Sequence, residues 1–204
     1  MSYLIYGAYG YTGALIARHA VEQGHEPILA GRDQRSLDAL AAELDCPAHA
    51  LSLTDGFRLR SVLEEVEAVV HCAGPFARTA LPMVEACLDT GTHYLDITGE
   101  IDVFQGVAAH DEAATEAGVM LMSGVGFDVV PTDCLAAHLA DRLPEATHLA
   151  LGFEAMEGIS GGTLETAIDQ LGEGGFVRRD GLLERVPQAY KTRRIDFGRG
   201  EHTA

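Results

Sequence analysis

Short apolar segments recur along the first 145 residues, and each is followed by a stretch in which apolar residues repeat at helical spacing. Segments that are this short and uniformly apolar are typical of strands buried on both faces of a parallel sheet. Strands alternating with helices predict an α/β fold, a doubly wound parallel sheet of the Rossmann type, for residues 1–145. The predicted strands begin at Tyr3, Pro27, Ala48, Ala68, His93 and Val119.

Two of the predicted helices have boundaries that depend on single residues. One is predicted from about Leu81 to Gly91, which puts Pro82 in the first turn, where proline is tolerated. One continuous helix is predicted to fill the span between Glu100 and Gly118.

The pattern changes in residues 146–204, which are predicted to begin a second, incomplete α/β domain for substrate binding or dimerisation. Residues 147–154 alternate like a half-exposed strand, a short helix is predicted to begin at 158–163, and 195–197 predict another strand. A sheet with one uncovered face is not stable by itself. This part is therefore expected to be truncated, or to be completed by a partner.

A glycine-rich turn follows the first strand with the spacing G-x-x-G-x-x-G, a variant of the dinucleotide-binding G-x-G-x-x-G. The first glycine can form the sharp turn, the second lets the backbone approach phosphates, and the third lets the helix pack closely. The unpaired amides at the helix start favour an anion, although a purely structural turn is the alternative. The residues predicted to bind or shield a pyrophosphate are Gly7, Tyr9, Gly10, Tyr11, Thr12 and Gly13.

Arg32 follows the second strand, where NAD-specific proteins usually carry Asp or Glu for the ribose hydroxyls. A guanidinium there can pair with the 2′-phosphate of NADP and stack on adenine, and Arg35 can assist. The sequence therefore favours NADP over NAD. Asp33 could instead serve a ribose hydroxyl, or Arg32 could be a surface arginine that pairs with Asp33.

Two further strand ends are candidates for cofactor contacts. Asp55 follows the third strand and can accept from the adenine amino group, or equally cap the next helix. The fourth strand ends in Ala73, Gly74, Pro75 and Phe76, whose small residues would leave room for nicotinamide and ribose beside Phe76. A strand-to-helix turn also uses glycine and proline for structural reasons.

Polar side chains follow the fifth and sixth strands and could orient a substrate or pass a proton. The candidate catalytic residues are Tyr94, Thr98, Glu100 and Asp128, with Asp96 in the same group. The alternative is ordinary capping of the helices that follow. His71, on the fourth strand, is interpreted as a core histidine.

The charge balance limits the classes of partner. The chain has 31 acidic and 14 basic residues, and a net charge of −17 disfavours binding to nucleic acid or to an anionic membrane. Lys191 is the only lysine, which reflects either a preference for arginine codons or an acidic surface adapted to concentrated salt. No apolar run approaches the ~20 residues of a membrane span. A small molecule is the expected partner.

The four cysteines are scattered, without C-x-x-C and without histidine pairs at zinc spacing, so no metal site is predicted. They indicate reduced core residues of a cytoplasmic protein, and no signal-peptide pattern precedes them. The P-loop is absent, and Pro187 stands four positions before Lys191, so the Tyr-x-x-x-Lys pair of short-chain dehydrogenases is absent too.

Five motifs together resemble the saccharopine dehydrogenase-like family, in particular the branch that includes trans-acting enoyl reductases of lipid synthesis. They cover residues 7–13, 30–33, 72–76, 94–100 and 126–133. The resemblance implies an NADP-binding Rossmann domain and a second α/β domain that closes over nicotinamide and substrate.

In that family the glycine turn binds pyrophosphate and the arginine after the second strand selects NADP. The resemblance carries these roles onto the glycine turn and Arg32, and a nicotinamide role onto residues 74–76. The sequence departs from the family in two places: His71 stands where relatives often have asparagine, and the chain ends where relatives continue through much of the second domain.

The resulting expectation is an NADP-dependent oxidoreductase that moves a hydride to or from a C=C, C=N or C=O bond, with an enoyl group on a lipid-like substrate preferred. The alternative is a non-catalytic NADP-binding module or a subunit of a larger assembly. A homo-oligomer formed through the second domain is possible in either case. A ligand-free remnant is disfavoured, because the glycines would then be costly and unused.

Overall fold

The structure is a computed structural model that describes residues 2–152, 174–187, 189–198 and 200–203. The chain divides into two compact units, Met1–Leu135 and Ala136–Ala204. The predicted boundary after residue 145, and the role of the second part as a substrate or dimerisation domain, stay predictions. In the described part of the chain, no helix is long and apolar enough to cross a bilayer.

The first unit is built on a six-stranded sheet in the order β3-β2-β1-β4-β5-β6, and every pair of neighbours is parallel. The order reverses at β1, beside β4, which is the point where doubly wound sheets bind ligands beyond their strand ends. The predicted doubly wound parallel sheet is confirmed. The strands are β1 Tyr3–Tyr6, β2 Ile28–Gly31, β3 Ala48–Ala50, β4 Ala68–His71, β5 His93–Asp96 and β6 Leu121–Met122.

Helices pack on both faces of this sheet and create two apolar cores. β1 shows how the alternation of a strand supplies both: Leu4 and Tyr6 face one core, and Ile5 faces the other. All three side chains are at most 1% exposed, and burying one such side chain contributes roughly 1.5–3 kcal/mol. The helices of this unit are α1 Tyr11–Glu22, α2 Gln34–Leu44, α3 Gly56–Leu63, α4 Phe76–Thr90, α5 Ile101–Ala108 and α6 Asp111–Ala117. A seventh helix, α7 Val130–Arg142, has no buried residue and includes the boundary between the two units.

Helix α4 begins at Phe76, five residues before the predicted start near Leu81. The reason lies 24 residues away in the chain: the Glu100 carboxylate accepts hydrogen bonds from the Phe76 and Ala77 amides. This cap satisfies amide groups that would otherwise be unpaired at the helix start. Pro82 consequently lies inside the helix, where it removes one main-chain hydrogen bond.

The span predicted as one helix before Gly118 is divided into α5 and α6. In an uninterrupted helix the Gly106 carbonyl would accept from the His110 amide. Instead the His110 ring donates to that carbonyl through Nδ1, at 2.9 Å, and the His110 amide donates to the Val107 carbonyl. The chain turns there because one side chain has replaced a main-chain donor.

The described residues of the second unit include two antiparallel strand pairs. β7 (Gly175–Arg179) pairs with β8 (Leu182–Val186), and β9 (Arg194–Asp196) pairs with β10 (Glu201–Thr203). Residues 147–152 of the strand predicted over 147–154 are not in a strand, and none of the described strands pairs with them. Residues 153–154 and the predicted helix at 158–163 lie outside the described residues.

His71 is fully buried at the end of β4, as expected of a core histidine. Its Nε2 lies 3.0 Å from the Thr79 hydroxyl, which itself donates to the Ala73 carbonyl, so Nε2–H donates to Thr79. Nδ1 then carries only a lone pair, and it has no hydrogen-bond partner. Burial away from water lowers the pKa of His71 from 6.5 to about 3, so the ring is neutral at physiological pH.

A pH-dependent stability follows from this buried neutral ring. The unfolded chain takes up a proton at His71 below pH 6.5 whereas the folded chain does not, so stability is complete above pH 6.5 and falls toward pH 3. Between pH 7 and pH 5 the loss attributable to His71 is about 2 kcal/mol. Urea unfolding of the wild type and His71→Gln at both pH values measures it as the difference between their losses.

The control variant is His19→Gln, which removes an imidazole that is 72% exposed. It measures how far the pH dependence of the unfolding free energy changes when an exposed histidine is lost. A pH-dependent loss in His71→Gln as large as that in His19→Gln would contradict the assignment of a neutral, buried His71.

Candidate functional site

The glycine turn lies at the carboxyl end of β1, in the centre of the sheet. The Gly7 and Ala8 amides both donate to the Ala30 carbonyl at 2.8 and 3.1 Å, which ties the turn to β2. The Gly10 amide donates to the Gly7 carbonyl at 3.0 Å, and α1 begins at the next residue. The turn is therefore held by main-chain bonds, and its surface carries backbone groups.

Two of the glycines are required by geometry. Gly7 has φ +81°, and a Cβ there would lie 2.9 Å from the Ala73 amide nitrogen, so both backbone conformation and space exclude a side chain. A Cβ on Gly13 would collide with the Gly7 carbonyl oxygen. Helix α1 thus packs directly on the turn, and the turn packs directly on the loop that follows β4.

Helix α1 differs from its neighbours in how it starts. Carboxylates cap the next three helices: Asp33 accepts from the Ser36 amide in α2, Asp55 from the Arg58 amide in α3, and Glu100 from two amides of α4. The start of α1 has Gly10 as its N-cap, and no side chain of the described residues caps it. Its amides and helix dipole are therefore available to an external anion.

Arg32 is exposed directly after β2. In the described ranges its guanidinium pairs with no carboxylate, so the alternative of an ion pair with Asp33 is not formed. The Asp33 carboxylate is engaged at 2.7 Å with the Ser36 amide, and hydrogen bonds from Ser36 lower the pKa of Asp33. Arg32 is thus the free charge at this strand end, and Asp33 is a helix cap.

Asp55 follows β3 and accepts from the Arg58 amide at 3.1 Å. The structure therefore places it as the cap of α3, one of the two roles that the sequence allowed. A contact between Asp55 and adenine stays a prediction.

The loop from Ala73 to Phe76 is fixed from two sides. The Thr79 hydroxyl lies 2.6 Å from the Ala73 carbonyl and 3.1 Å from the Pro75 carbonyl. The Glu100 carboxylate holds the Phe76 amide at 3.1 Å. A loop anchored at both ends and packed against Gly7 can present a rigid wall beside the glycine turn.

Asp96 is a fully buried carboxylate that joins the ends of β5 and β6. It accepts from the Tyr94 hydroxyl at 2.7 Å and the Ser123 hydroxyl at 2.9 Å, and from the Thr98 and Gly124 amides at 3.0 and 2.9 Å. Four donors compensate for the burial of its charge. Asp96 is thus a structural centre of this sheet edge.

The same network decides what two catalytic candidates can do. Tyr94 is fully buried, and burial, followed by the negative charge of Asp96, raises the pKa of its phenol. Thr98 is 1% exposed, and its hydroxyl accepts from the Glu100 amide at 3.0 Å. Neither group is placed to exchange a proton with a substrate.

The other two candidates differ in exposure. Glu100 is 8% exposed and both of its oxygens are used as acceptors by α4. Asp128 is exposed, and one of its oxygens lies 2.5 Å from where a Cβ on Gly99 would stand. Asp128 is therefore the candidate whose carboxylate is accessible at this edge of the sheet.

Sequence reasoning missed Thr79 and Ser123, which support the site through the Ala73 and Asp96 contacts described above. Neither residue stands in a motif, so the sequence carries no signal for them. Cys72 precedes Ala73, but burial raises the pKa of its thiol to about 12, which excludes it as a nucleophile at neutral pH.

Replacing Glu100 distinguishes its role as a cap from a catalytic role. Glu100→Ala leaves two part-buried amides of α4 unpaired and is expected to lower the free energy of unfolding by about 1–3 kcal/mol. Asp55→Ala, which removes a more exposed cap, serves as the matched control with an expected loss of about 0.5–2 kcal/mol. Urea denaturation measures both. If Glu100→Ala were as stable as the wild type, the capping role would be wrong.

Comparison with known proteins agrees with this geometry. A family model described as the saccharopine dehydrogenase NADP binding domain matches residues 3–122, which include the whole six-stranded sheet. The solved apo saccharopine dehydrogenase (L-Glu forming) from Saccharomyces cerevisiae superposes with a TM-score of 0.62, over 71% of this chain and 32% of that one. At 20% sequence identity this likeness concerns the fold.

Two relatives illustrate the sequence similarity. A trans-acting enoyl reductase of Mycobacterium leprae (strain TN) is 31% identical over 176 residues, which cover 79% of this chain and 42% of the relative. A “probable mitochondrial saccharopine dehydrogenase-like oxidoreductase” of Arabidopsis thaliana is 30% identical over 189 residues, which cover 81% of this chain and 42% of the relative. The chain spans less than half the length of these relatives.

The family match includes the glycine turn, Arg32 and the loop at residues 73–76, so the cofactor predicted from these residues, NADP, is confirmed at the level of the family. The chain belongs to the saccharopine dehydrogenase NADP-binding domain family.

Proposed function

We propose that this chain is the cofactor-binding part of an NADP-dependent oxidoreductase, in which a hydride moves to or from a C=C, C=N or C=O bond. The observation that carries the proposal is the start of α1. Among α1 to α4, it is the one that no side chain of the described residues caps, and Tyr9 in the turn before it contacts the backbone of the exposed Arg32. An anion with a second phosphate nearby fits this arrangement.

The residues present fit NADP. The first amides of α1, together with Gly7, Gly10 and Gly13, would hold the pyrophosphate, because the backbone is bare where side chains would otherwise intrude. Arg32 would pair with the 2′-phosphate, and the loop at residues 73–76 would lie beside the nicotinamide. When bound, NADPH supplies a hydride from C4 of its nicotinamide ring.

The chain contributes position and electrostatics to such a reaction. The Ala73–Phe76 loop, anchored by Thr79 and Glu100, keeps one wall of the nicotinamide pocket rigid. Asp128 is the accessible carboxylate near that edge and is our candidate for orienting a substrate or holding a proton. Tyr94 and Thr98 support the site from inside the fold.

Within this reaction class we propose an enoyl C=C bond on a lipid-like substrate. The support is the name carried by the mycobacterial relatives, trans-acting enoyl reductase. A non-catalytic NADP-binding module is the second candidate, because every predicted cofactor residue lies within the first unit.

The charge selectivity of the site can be measured directly. Arg32→Ala is expected to weaken NADPH binding about tenfold or more, because a charge-assisted contact to phosphate contributes roughly 1.5–3 kcal/mol. NADH binding should change little, since NADH lacks that phosphate. Fluorescence titration of both coenzymes measures the two dissociation constants.

The matched control is Arg18→Ala, which removes an exposed arginine that pairs with Glu43 away from the strand ends. If Arg32→Ala weakens both coenzymes equally, or changes neither, Arg32 does not read the 2′-phosphate.

Turnover separates the enzyme from the binding module. NADPH oxidation by the full-length protein, measured with a panel of enoyl, imine and carbonyl substrates, is expected to be fastest with an enoyl thioester or ester. Asp128→Asn should lower that rate while leaving the NADPH dissociation constant unchanged. Tight NADPH binding without turnover of any substrate class would favour the module.

A further inference from the structure

Tyr9 links the glycine turn to the end of β2 in a way that neither strand–turn geometry nor the pyrophosphate requires. Its hydroxyl oxygen accepts from the Arg32 amide at 3.2 Å and from the Asp33 amide at 3.1 Å. These are the two amides at the strand end where the adenosine ribose of a dinucleotide lies in doubly wound folds. Tyr9 therefore fixes the backbone that carries Arg32.

Gly31 makes room for this side chain. Gly31 is buried, and a Cβ there would collide with Cε1 of the Tyr9 ring. Its φ lies outside the left-handed region, so space, and not backbone conformation, is what excludes a side chain at Gly31. The Tyr9 ring thus occupies the space that a side chain at residue 31 would fill.

The hydrogen-bonding capacity of Tyr9 indicates what it can contact. A phenol hydroxyl has two acceptor positions and one proton to donate. The two amides use the acceptor positions, so only the proton is left for a ligand. Arg32 is also a pure donor, and the Asp33 carboxylate is directed to Ser36. The Tyr9 hydroxyl and the Arg32 guanidinium thus have only donors to offer to a ligand, which suits a phosphate monoester better than a ribose diol, whose hydroxyls also donate.

We propose that Tyr9 contributes to the preference for NADP together with Arg32, by donating its hydroxyl proton to the 2′-phosphate while its oxygen holds the Arg32 backbone in place. This inference rests on the proposed function, because it needs the adenosine end of NADP at the carboxyl end of β2. The Tyr9 hydroxyl would be a second donor to the 2′-phosphate, beside the Arg32 guanidinium. The proposal also explains why residue 31, outside the glycine turn, is a glycine: a side chain there would displace the Tyr9 ring.

The first test is Tyr9→Phe, which keeps the ring on Gly31 and removes the hydroxyl. NADPH binding is expected to weaken about tenfold and NADH binding by less than twofold, because one hydrogen bond to a charged group is lost. Equilibrium titration of both coenzymes measures the change. The control is Tyr3→Phe, which removes a hydroxyl at the opposite end of β1.

The second test uses the fit between Tyr9 and Gly31. Gly31→Ala displaces the ring, so it should reduce the NADPH preference as Tyr9→Phe does, although Arg32 is unchanged. In a Tyr9→Ala background the same Gly31→Ala change should have no further effect, because the colliding ring is gone. Thermal unfolding of each variant shows that the fold is intact.

The outcomes separate this proposal from the proposed function. If the wild type binds neither coenzyme, the cofactor site and the role of Tyr9 are both wrong. If the wild type prefers NADPH and Tyr9→Phe keeps the same preference, the role of Tyr9 is wrong and the cofactor site stands. Equal weakening of NADPH and NADH in Tyr9→Phe would also overturn the proposal, since the hydroxyl would then act on the shared part of the coenzymes.

Discussion

The close packing of α1 on the carbonyl oxygen of Gly7 is the constraint on which the site depends. The absence of a side chain at Gly13 permits this approach, and the absence of one at Gly7 lets the turn sit against Ala73. The first amides of α1 are thereby brought to the middle of the sheet edge with no side chain above them. A helix held further away would leave the same amides without a defined position relative to the strand ends.

Charge is distributed along this edge in a consistent way. The chain is strongly acidic, and three of its carboxylates, Asp33, Asp55 and Glu100, neutralise the starts of α2, α3 and α4. A helix start that already holds a carboxylate attracts a further anion less strongly. Among α1 to α4 these caps leave the start of α1 open to an external anion, and Arg32 places an exposed positive charge after β2.

The sequence pattern correctly predicted the features that depend on residues close together in the chain. Strand position followed from apolar runs, and the glycine turn followed from spacing. The pattern failed where a distant side chain intervened. Glu100 starts α4 from 24 residues away, and the ring of His110 interrupts a helix that the spacing predicted as continuous. The group at Tyr94, Thr98 and Glu100 looked catalytic, because a sequence shows which polar groups are near each other but not which of them are already paired.

The sequence by itself determined the doubly wound sheet, the bare glycine turn and the arginine after the second strand, because each follows from residue type and spacing over a few positions. Only the tertiary structure decided which polar groups are free. Asp96 and Tyr94 are buried and hydrogen-bonded to each other, whereas Asp128 is exposed. The Tyr9 ring packs against Gly31, and its hydroxyl oxygen accepts from two amides. Hydrogen bonds join groups that are close in space, and closeness in space is fixed by how the strands are ordered and not by their order along the chain.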